Sequence, residues 1–463
     1  MAQIMENVRK MPLWRRAALI LVLTGIVMVV GLMMITYISS GQLGSEIVKI
    51  SKAGEPTAFP VVKPPQPTTE DANRYYTEAI GQIQPGELTN ISKVYIFYRI
   101  GLTSLPANQF PADLREKVTE NLTKSQPILT NLDKGAGLWL SWFDTGLSSD
   151  KLLRKDRLDT IQAAIILSSL RTLDFIRAGN LDKAADSIAT SLKLLRVFDG
   201  FPTVHLQSRK MASLQLVCGD IHLLLQRDAV GSDPNAPAPK AKRLSPQRLE
   251  ILQSLLEETL PPDTLEKTLL AERVYQIEIA RNLLPKSIVS KYLSANVPLL
   301  PERRPLPTLT WHRMRIYRAS TRFMRDMAWC VNVSRLPWPG PLEQAKDANQ
   351  APSGGNSGIV PVIAPLTRLS VESLAIVRGT VTLIAIERYR QREKKFPDSL
   401  ALLIPTYLKS IPLDPFSGKP LVYSHDAQTC KLSGALEPNN AGQPRPAGFD
   451  ANQVMSKPAA APK

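Results

Sequence analysis

The stretch that decides the fold is residues 17–38, AALILVLTGIVMVVGLMMITYI, which runs for 22 residues without a charge. A helix rises about 1.5 Å per residue, so this stretch would span roughly 33 Å, enough to cross the hydrocarbon core of a bilayer. Four basic residues stand just before it: Arg9, Lys10, Arg15 and Arg16. The sequence therefore predicts a transmembrane helix over residues 17–38.

This apolar run can be interpreted in three ways. A cleaved signal peptide usually has an apolar core of about 7–15 residues, followed by a small-x-small cleavage site. The run is longer than that, no Ala-x-Ala follows it, and the first cysteine that could carry a lipid is Cys218. We favour a retained membrane anchor, with a cleaved signal and a buried soluble helix as the alternatives.

The charges that flank the run predict its orientation. Residues 1–16 carry four basic residues and one acid, and the first charge after the run is Glu46. The positive-inside rule then keeps the N-terminus in the cytoplasm and sends residues 39–463 across the membrane. We expect a single-pass protein of the inner (cell) membrane with its bulk on the extracytoplasmic side.

Composition limits the partners of the exported part. The whole chain carries a net charge of +16, and 53 basic and 40 acidic residues leave +13 beyond the apolar run. Such an excess favours nearby polyanions. Anionic lipid or an envelope polymer is the expected partner besides the membrane itself; nucleic acid is not expected on the exported side, and the sequence identifies no protein partner.

Apolar residues recur at helical spacing through most of the chain, and aromatic residues are sparse at 6%. The predicted fold class is mainly α, with an N-terminal transmembrane helix, an extracytoplasmic helical bundle or hairpins, and a small α+β C-terminal module. The predicted segments are a basic cytoplasmic segment 1–16, the transmembrane helix 17–38, a proline-rich spacer 39–69, a helical domain 70–228, a linker 229–245, a helical segment 246–336, a Pro/Gly-rich connector 337–366, the C-terminal module 367–430 and a disordered tail 431–463.

Within the helical domain we predict helices over 71–83, 88–102 and 111–132, then a loop over 135–143 that buries aromatic side chains. Residues 160–198 predict a helical hairpin whose turn contains Gly179 and Asn180. Residues 179–184 resemble the turn and second helix of a tetratricopeptide repeat. The first-helix tryptophan and the 34-residue recurrence of that family are missing, so a generic helical hairpin is the alternative.

The helical segment 246–336 contains a row of arginines. Arg315, Arg318, Arg322 and Arg325 fall within about 80° of one another on a helix. Residues 301–340 hold eight arginines against Glu302 and Asp326. We predict these four arginines as an anionic-surface binding face. The alternative is an ordinary solvent-facing helix side on which arginine stems cover apolar neighbours.

The C-terminal module begins with a long apolar helix predicted over 371–395, followed by Phe396-Pro397-Asp398 and then by Asp414-Pro415-Phe416-Ser417-Gly418. Leu400, Leu403 and Ile404 are predicted to pack back on this helix, and residues 421–423 to form a short strand. Residues 371–424 resemble the globular module of type II secretion pseudopilins, as it occurs in large uncharacterised membrane-anchored proteins of planctomycete-type bacteria. The resemblance implies a local fold only: about 330 residues separate the module from the membrane helix, and the pseudopilin processing site is missing.

Motifs that would indicate catalysis are absent from the sequence. It has no phosphate-binding glycine loop, no His-Glu-x-x-His and no Gly-x-Ser-x-Gly, so no catalytic residue, cofactor or metal is predicted. His222 is expected to be a core histidine and Asp414 a turn cap. Cys218, Cys330 and Cys430 are expected to be buried apolar residues, although one pair could form a disulfide. We predict a binding or scaffolding protein, more a non-enzyme than an enzyme; the alternatives are a secretion-system accessory protein and a cell-envelope hydrolase.

Overall fold

The computed structural model describes residues 12–57, 71–84, 86–104, 111–140, 155–200, 203–226, 244–283, 310–346, 350–352, 354, 360–426, 429–434 and 453–456. Within these residues the protein is mainly helical, as predicted, with thirteen α-helices and one small sheet. The helices are α1 Leu13–Lys52, α2 Ala72–Gly81, α3 Glu87–Ser104, α4 Ala112–Lys124, α5 Gln126–Ala136, α6 Lys155–Arg177, α7 Leu181–Leu194, α8 Val204–Gln226, α9 Pro246–Thr259, α10 Thr264–Leu283, α11 Thr310–Ser334, α12 Gly340–Gln344 and α13 Val360–Glu393.

The chain divides into two compact units. Unit 1 comprises residues 1–59, 272–330 and 348–361, and unit 2 comprises residues 60–271, 331–347 and 362–463.

Helix α1 of unit 1 does not end with the apolar run but continues to Lys52. Residues 39–52, which we predicted as spacer, are therefore helical, and that prediction is wrong for them. The reason is a second apolar pattern: Leu43, Ile47 and Ile50 recur at spacings of four and three, and all three are buried. Residues 58–70, which hold most of the prolines of the predicted spacer, lie outside the described residues.

The core of unit 1 joins α1 to α10 and α11. Leu43, Ile47 and Ile50 of α1 form one buried cluster with Ile277 of α10 and with Tyr317 and Met324 of α11. Ser39 and Ser40, which directly follow the apolar run in α1, are buried as well. The second half of α1 is thus a structural helix of unit 1.

In unit 2 the predicted hairpin is present, formed by α6 and α7. The backbone turns at Gly179, whose φ of +78° is accessible to glycine at little cost. The two helices meet through buried hydroxyls, because Ser191 Oγ donates to Ser168 Oγ at 2.9 Å and Ser187 Oγ donates to the Ser168 carbonyl at 3.1 Å. The tetratricopeptide resemblance of this hairpin stays a prediction.

The structure before this hairpin agrees with the sequence-based prediction except at two places. Asp71 caps α2 by accepting the Asn73 N–H at 2.9 Å. The single helix predicted over 111–132 is instead α4 and α5, which meet at Ser125, because Pro127 lacks an N–H and its ring obstructs the carbonyl of the preceding turn. Trp139, predicted to be buried, is 76% exposed. Residues 141–143 of that predicted loop lie outside the described residues.

Helix α13 is the core helix of the C-terminal part of unit 2. It begins at Val360, inside the predicted connector. Pro361 is compatible with this start because it stands in the first turn, where the backbone N–H groups have no partner within the helix. Residues 364–393 are apolar and long enough to span a membrane by composition, but 83% of their most apolar window is buried in the protein. This burial identifies α13 as a core helix.

The rest of the C-terminal module follows the predicted order of short helix, turn and strand. A 3₁₀ helix covers Leu400–Leu403, and its Leu400 and Leu403 are buried, whereas Ile404 is exposed, contrary to prediction. Asp414 caps its turn as predicted: its carboxylate accepts from the Phe416 N–H at 3.2 Å and from Ser417 Oγ at 2.8 Å.

The sheet is antiparallel, with the strand order β1 (Val422–His425), β2 (Thr429–Ser433) and β3 (Gln453–Ser456). In the register, Val422 lies opposite Ser433 and Thr429 lies opposite Ser456. Residues 431–433 and 453–456 are therefore strands, which corrects the prediction of a disordered tail over 431–463. The remaining tail residues, apart from Gly434, lie outside the described part of the chain.

Candidate functional site

The predicted basic face lies on α11 in unit 1. Arg315, Arg318, Arg322 and Arg325 are all exposed. The opposite side of the helix is buried over Met314, Tyr317, Met324, Met327 and Cys330. The period of 3.6 residues separates the two sides, so the arginines form one continuous surface that we call the basic face.

Of these four residues, Arg325 is committed to an interaction inside the unit. Its Nε donates to Oε1 of Glu46 at 3.1 Å and its Nη2 forms an ion pair with the same oxygen at 3.1 Å, while Lys49 Nζ donates to that oxygen at 3.0 Å. The Glu46 side chain is only 11% exposed. Arg325 therefore ties α11 to α1, and Arg315, Arg318 and Arg322 are the arginines available to a partner.

This ion pair also fixes where Arg325 lies relative to the apolar run. Glu46 follows Ile38 by eight residues, which is roughly 12 Å along a helix. Headgroups extend about 5–8 Å beyond the hydrocarbon core, and the Debye length is about 8 Å at physiological salt. With the apolar run in a bilayer, Arg325 itself would lie within about one Debye length of the headgroup layer.

The apolar half of α1 has the properties of a membrane span. It is long and apolar enough to cross a bilayer, and none of its most apolar window is buried in the described protein. Ile20, Val27, Met34 and Ile38 are among its exposed side chains. A long exposed apolar surface indicates an apolar environment such as lipid, and α1 is therefore a candidate membrane span.

Burial shifts the pKa values of two other side chains of α11, Tyr317 and Cys330. Burial raises the pKa of Tyr317, against the opposing effect of Arg313. Burial also raises the pKa of the Cys330 thiol to about 12, so this cysteine stays protonated and unreactive at neutral pH. Cys218 and Cys430 are likewise buried, and none of the three cysteines is in a disulfide, so the prediction of three buried cysteines is confirmed.

Unit 2 holds a buried polar network that the sequence analysis missed. Asp220 of α8 is 1% exposed, and its Oδ1 accepts from Tyr95 Oη at 2.9 Å and from Arg99 Nη1 at 3.4 Å, both on α3. Burial raises the pKa of Asp220 to about 6. Both bonds go to Oδ1, whereas Oδ2 is buried without a hydrogen-bond partner in the described part of the chain. The two bonds to Oδ1 tie α8 to α3.

His222 lies on the same helix but contacts α13. Its Nε2 is 2.8 Å from Thr380 Oγ1, and loss of hydration lowers its pKa to about 4, so the imidazole is neutral at physiological pH. This placement agrees with the expectation of a core histidine. Among the described residues, no group of three or more His, Cys, Asp or Glu side chains is arranged to hold a metal ion.

No protein-family model matches this chain, and neither a curated protein nor a solved structure is significantly similar to it. Function therefore has to be argued from the surfaces of the molecule itself.

Proposed function

We propose that the protein is a single-pass membrane anchor whose basic face rests on anionic headgroups and holds an extracytoplasmic helical scaffold at the membrane. The observation that carries this proposal is that the two halves of α1 have different surroundings. One continuous helix presents an exposed apolar half, and its other half is buried against the helix that bears the arginines.

Orientation follows from charge in the same proposal. The basic residues before the run stay in the cytoplasm under the positive-inside rule, and both units lie on the extracytoplasmic side of the inner membrane. Arg315, Arg318 and Arg322 then add attraction to anionic lipid, worth about 1 kcal/mol for each residue near the surface. The scaffolding part of the proposal rests on the helical core of unit 2 and the absence of a recognised catalytic motif in the sequence.

The anchor is tested by deletion at a position that the structure selects. Deleting residues 1–38 removes the apolar half of α1 but keeps Leu43, Ile47 and Ile50 in the unit 1 core. We expect the shortened protein to be found in the soluble fraction after cell lysis, and persistent attachment in high salt and carbonate would contradict the anchor. A later cut, after residue 45, would also remove Leu43 from the unit 1 core. Release from the membrane could then not be distinguished from unfolding of unit 1.

The basic face is tested separately in the chain shortened to residues 39–463. Replacing Arg315, Arg318 and Arg322 by glutamine should weaken binding to vesicles containing anionic lipid at least tenfold and leave thermal unfolding unchanged. The matched control replaces Arg368, Arg392 and Arg335, which lie outside this face, in the same way. Equal vesicle binding by the two triple variants would contradict a specific role for the basic face.

A second candidate function is that of a secretion-system accessory protein. What supports it is the order of long helix, short 3₁₀ helix, Asp414 turn and hairpin in residues 360–433, which is the order expected from the pseudopilin resemblance. Copurification of secretion components with the detergent-solubilised full chain would favour this candidate, and a clean negative result in a strain that expresses the apparatus would count against it.

A further inference from the structure

Three large apolar side chains stand together on the outer side of α3 in unit 2. Ile96 is 51% exposed, Phe97 is 61% exposed and Ile100 is 51% exposed. Their spacing places all three within about 100° of one another around the helix. Among the described helices other than α1, no other helix carries more than one exposed large apolar side chain. We call this surface the α3 apolar face.

The opposite side of α3 already fixes the helix in the core of unit 2. Tyr95 and Tyr98 are buried there, and their hydroxyls donate to Asp220 and Asp174 at 2.9 and 3.0 Å. The fold therefore does not need the outer side chains for packing. A cluster of exposed apolar side chains with no packing role within the fold is typical of an interaction site.

The border of the α3 apolar face is polar and basic. Lys93 is exposed and lies within the same 100° arc, and the Arg99 side chain, at the edge, is 32% exposed. The other exposed residues along this side are Thr89, Asn90 and Thr103. Residues 88–104 contain no Asp or Glu. The surface is thus an apolar patch with hydroxyl and basic neighbours and no negative charge of its own.

This chemistry selects the partner. A second copy of the chain would bring the same basic residues and no acid from α3 to pair with them. The three side chains together expose roughly 300 Å², since a large apolar side chain has about 150–250 Å². A stable protein interface buries about 800 Å² on each partner. A leaflet of anionic lipid needs no such area, and it supplies acyl chains for the apolar residues and phosphates for the basic ones.

We propose that the α3 apolar face is a membrane contact of unit 2, which enters the boundary between headgroups and acyl chains of an anionic leaflet. Ile96, Phe97 and Ile100 enter the acyl region, and Lys93 reaches a headgroup phosphate with its stem along the apolar surface. This step rests on the proposed anchoring, which keeps the chain beside a bilayer. The contact is additional to the basic face of unit 1.

The test places a fluorescent label on this face in the full chain. Cys218, Cys330 and Cys430 are buried, so a cysteine introduced at the surface can be labelled selectively. The labelled variants are Ile100→Cys and, as the matched control, Ile251→Cys, because both isoleucines are 51% exposed and lie on helices of unit 2. Each carries an environment-sensitive nitrobenzoxadiazole label, and the protein is reconstituted into vesicles of phosphatidylglycerol and phosphatidylcholine.

Lipids with a nitroxide near the start of the acyl chain report contact. We expect them to quench the Ile100→Cys label about threefold more strongly than the Ile251→Cys label, because an interfacial helix face lies about 5–10 Å into this boundary. Equal quenching of the two labels would overturn the proposal. Brighter emission from the Ile100→Cys label without quenching would show that a protein, such as a second copy, covers the face, and would also overturn it.

Two substitutions in the labelled Ile100→Cys chain separate the apolar and the charged contributions. Phe97→Gln removes the largest apolar side chain of the face and should lower the quenching about twofold. Lys93→Gln should lower it in the anionic vesicles and leave it unchanged in vesicles of phosphatidylcholine alone. Both positions are exposed, so thermal unfolding should not change. Quenching that neither substitution alters would overturn the proposal.

The outcome can be distinguished from failure of the proposed function. If the anchor fails, the chain is lost from floated vesicles after carbonate extraction, and the label is then read with the same vesicles added to the chain in solution. If the basic face fails, the triple variant of Arg315, Arg318 and Arg322 binds vesicles as its control does. Failure of the α3 apolar face would be seen only in the quenching of the Ile100→Cys label.

Discussion

Asp220 and His222 lie two residues apart on α8, contact different helices, and have pKa values that burial moves in opposite directions. Asp220 accepts from Tyr95 of α3, and His222 contacts Thr380 of α13. Arg99 lies close enough to lower the pKa of both, although burial dominates in each case. The result is a pair of core groups whose contributions to stability change oppositely with pH.

The first prediction follows from the signs of these two shifts. The pKa of Asp220 is raised from 3.8 to about 6, so its contribution is complete below pH 4 and is lost as the pH rises through 6. The pKa of His222 is lowered from 6.5 to about 4, so its contribution is complete above pH 6.5 and is lost as the pH falls through 4. Each contribution amounts to roughly 3 kcal/mol, so the two nearly cancel in the wild type.

Single substitutions should expose the two opposing contributions. Relative to the wild type, Asp220→Asn should lose roughly 3 kcal/mol of unfolding free energy as the pH falls from 6.5 to 4. His222→Gln should lose a similar amount as the pH rises from 4 to 6. Urea unfolding at half-unit pH steps measures both, and parallel profiles for the three proteins would show that neither group titrates in this range.

The second prediction concerns the hydroxyl of Tyr95. Its hydrogen bond lowers the pKa of Asp220, so Tyr95→Phe should extend the loss of stability to a higher pH and remove about 1 kcal/mol at neutral pH. Tyr98→Phe is the matched control, because the Tyr98 hydroxyl donates to the more exposed Asp174 on α6. The idea fails if both variants shift the pH profile equally.

The third prediction separates the structural arginine of α11 from the arginines that are free to bind. Arg325→Gln leaves the largely buried Glu46 with Lys49 as its remaining charged partner in the described structure, so it should lower the unfolding free energy by about 1–2 kcal/mol. Arg322→Gln should change it by less than about 0.5 kcal/mol. Thermal unfolding in detergent measures the difference, and equal stability of the two variants would show that the ion pair between Arg325 and Glu46 does not stabilise unit 1.

The fourth prediction concerns the close approach of α2 and α5. A Cβ atom at Gly135 would lie 2.6 Å from Cε1 of the buried Tyr76 ring, so Gly135→Ala should cost about 1–3 kcal/mol. Gly81 ends α2 with nothing within 4 Å of its Cβ position, so Gly81→Ala should be neutral or slightly stabilising. Urea midpoints compare the two, and a neutral Gly135→Ala would mean that α2 and α5 can separate at this point.

Local sequence was sufficient to predict those features that depend on interactions between residues close in the chain. The charge-free run, the turn at Gly179 and the Asp71 cap were predictable, because each depends on residues within a few positions of one another. The second half of α1 was predictable in principle from Leu43, Ile47 and Ile50. This repeat has only three members and adjoins a proline-rich stretch, whose composition favours an extended spacer.

Long-range partners were not predictable from one sequence. Glu46 and Arg325 are 279 positions apart, and Asp220 is 125 positions from Tyr95. Nothing in the local pattern distinguishes Arg325 from Arg322, since both stand on the exposed arc of the same helix. The burial of Arg273, whose side chain is 0% exposed, was not predictable either, because it depends on which helices meet around it.

The absence of a joint in α1 between residues 13 and 52 has a mechanical consequence. Roughly 21 Å of rigid helix extend beyond the apolar run, so a tilt of about 10° within the bilayer would sweep the outer end sideways by about 4 Å. Bilayer thickness sets the tilt of a spanning helix. With α1 in a membrane, the lateral position of its outer end therefore depends on the thickness of that membrane.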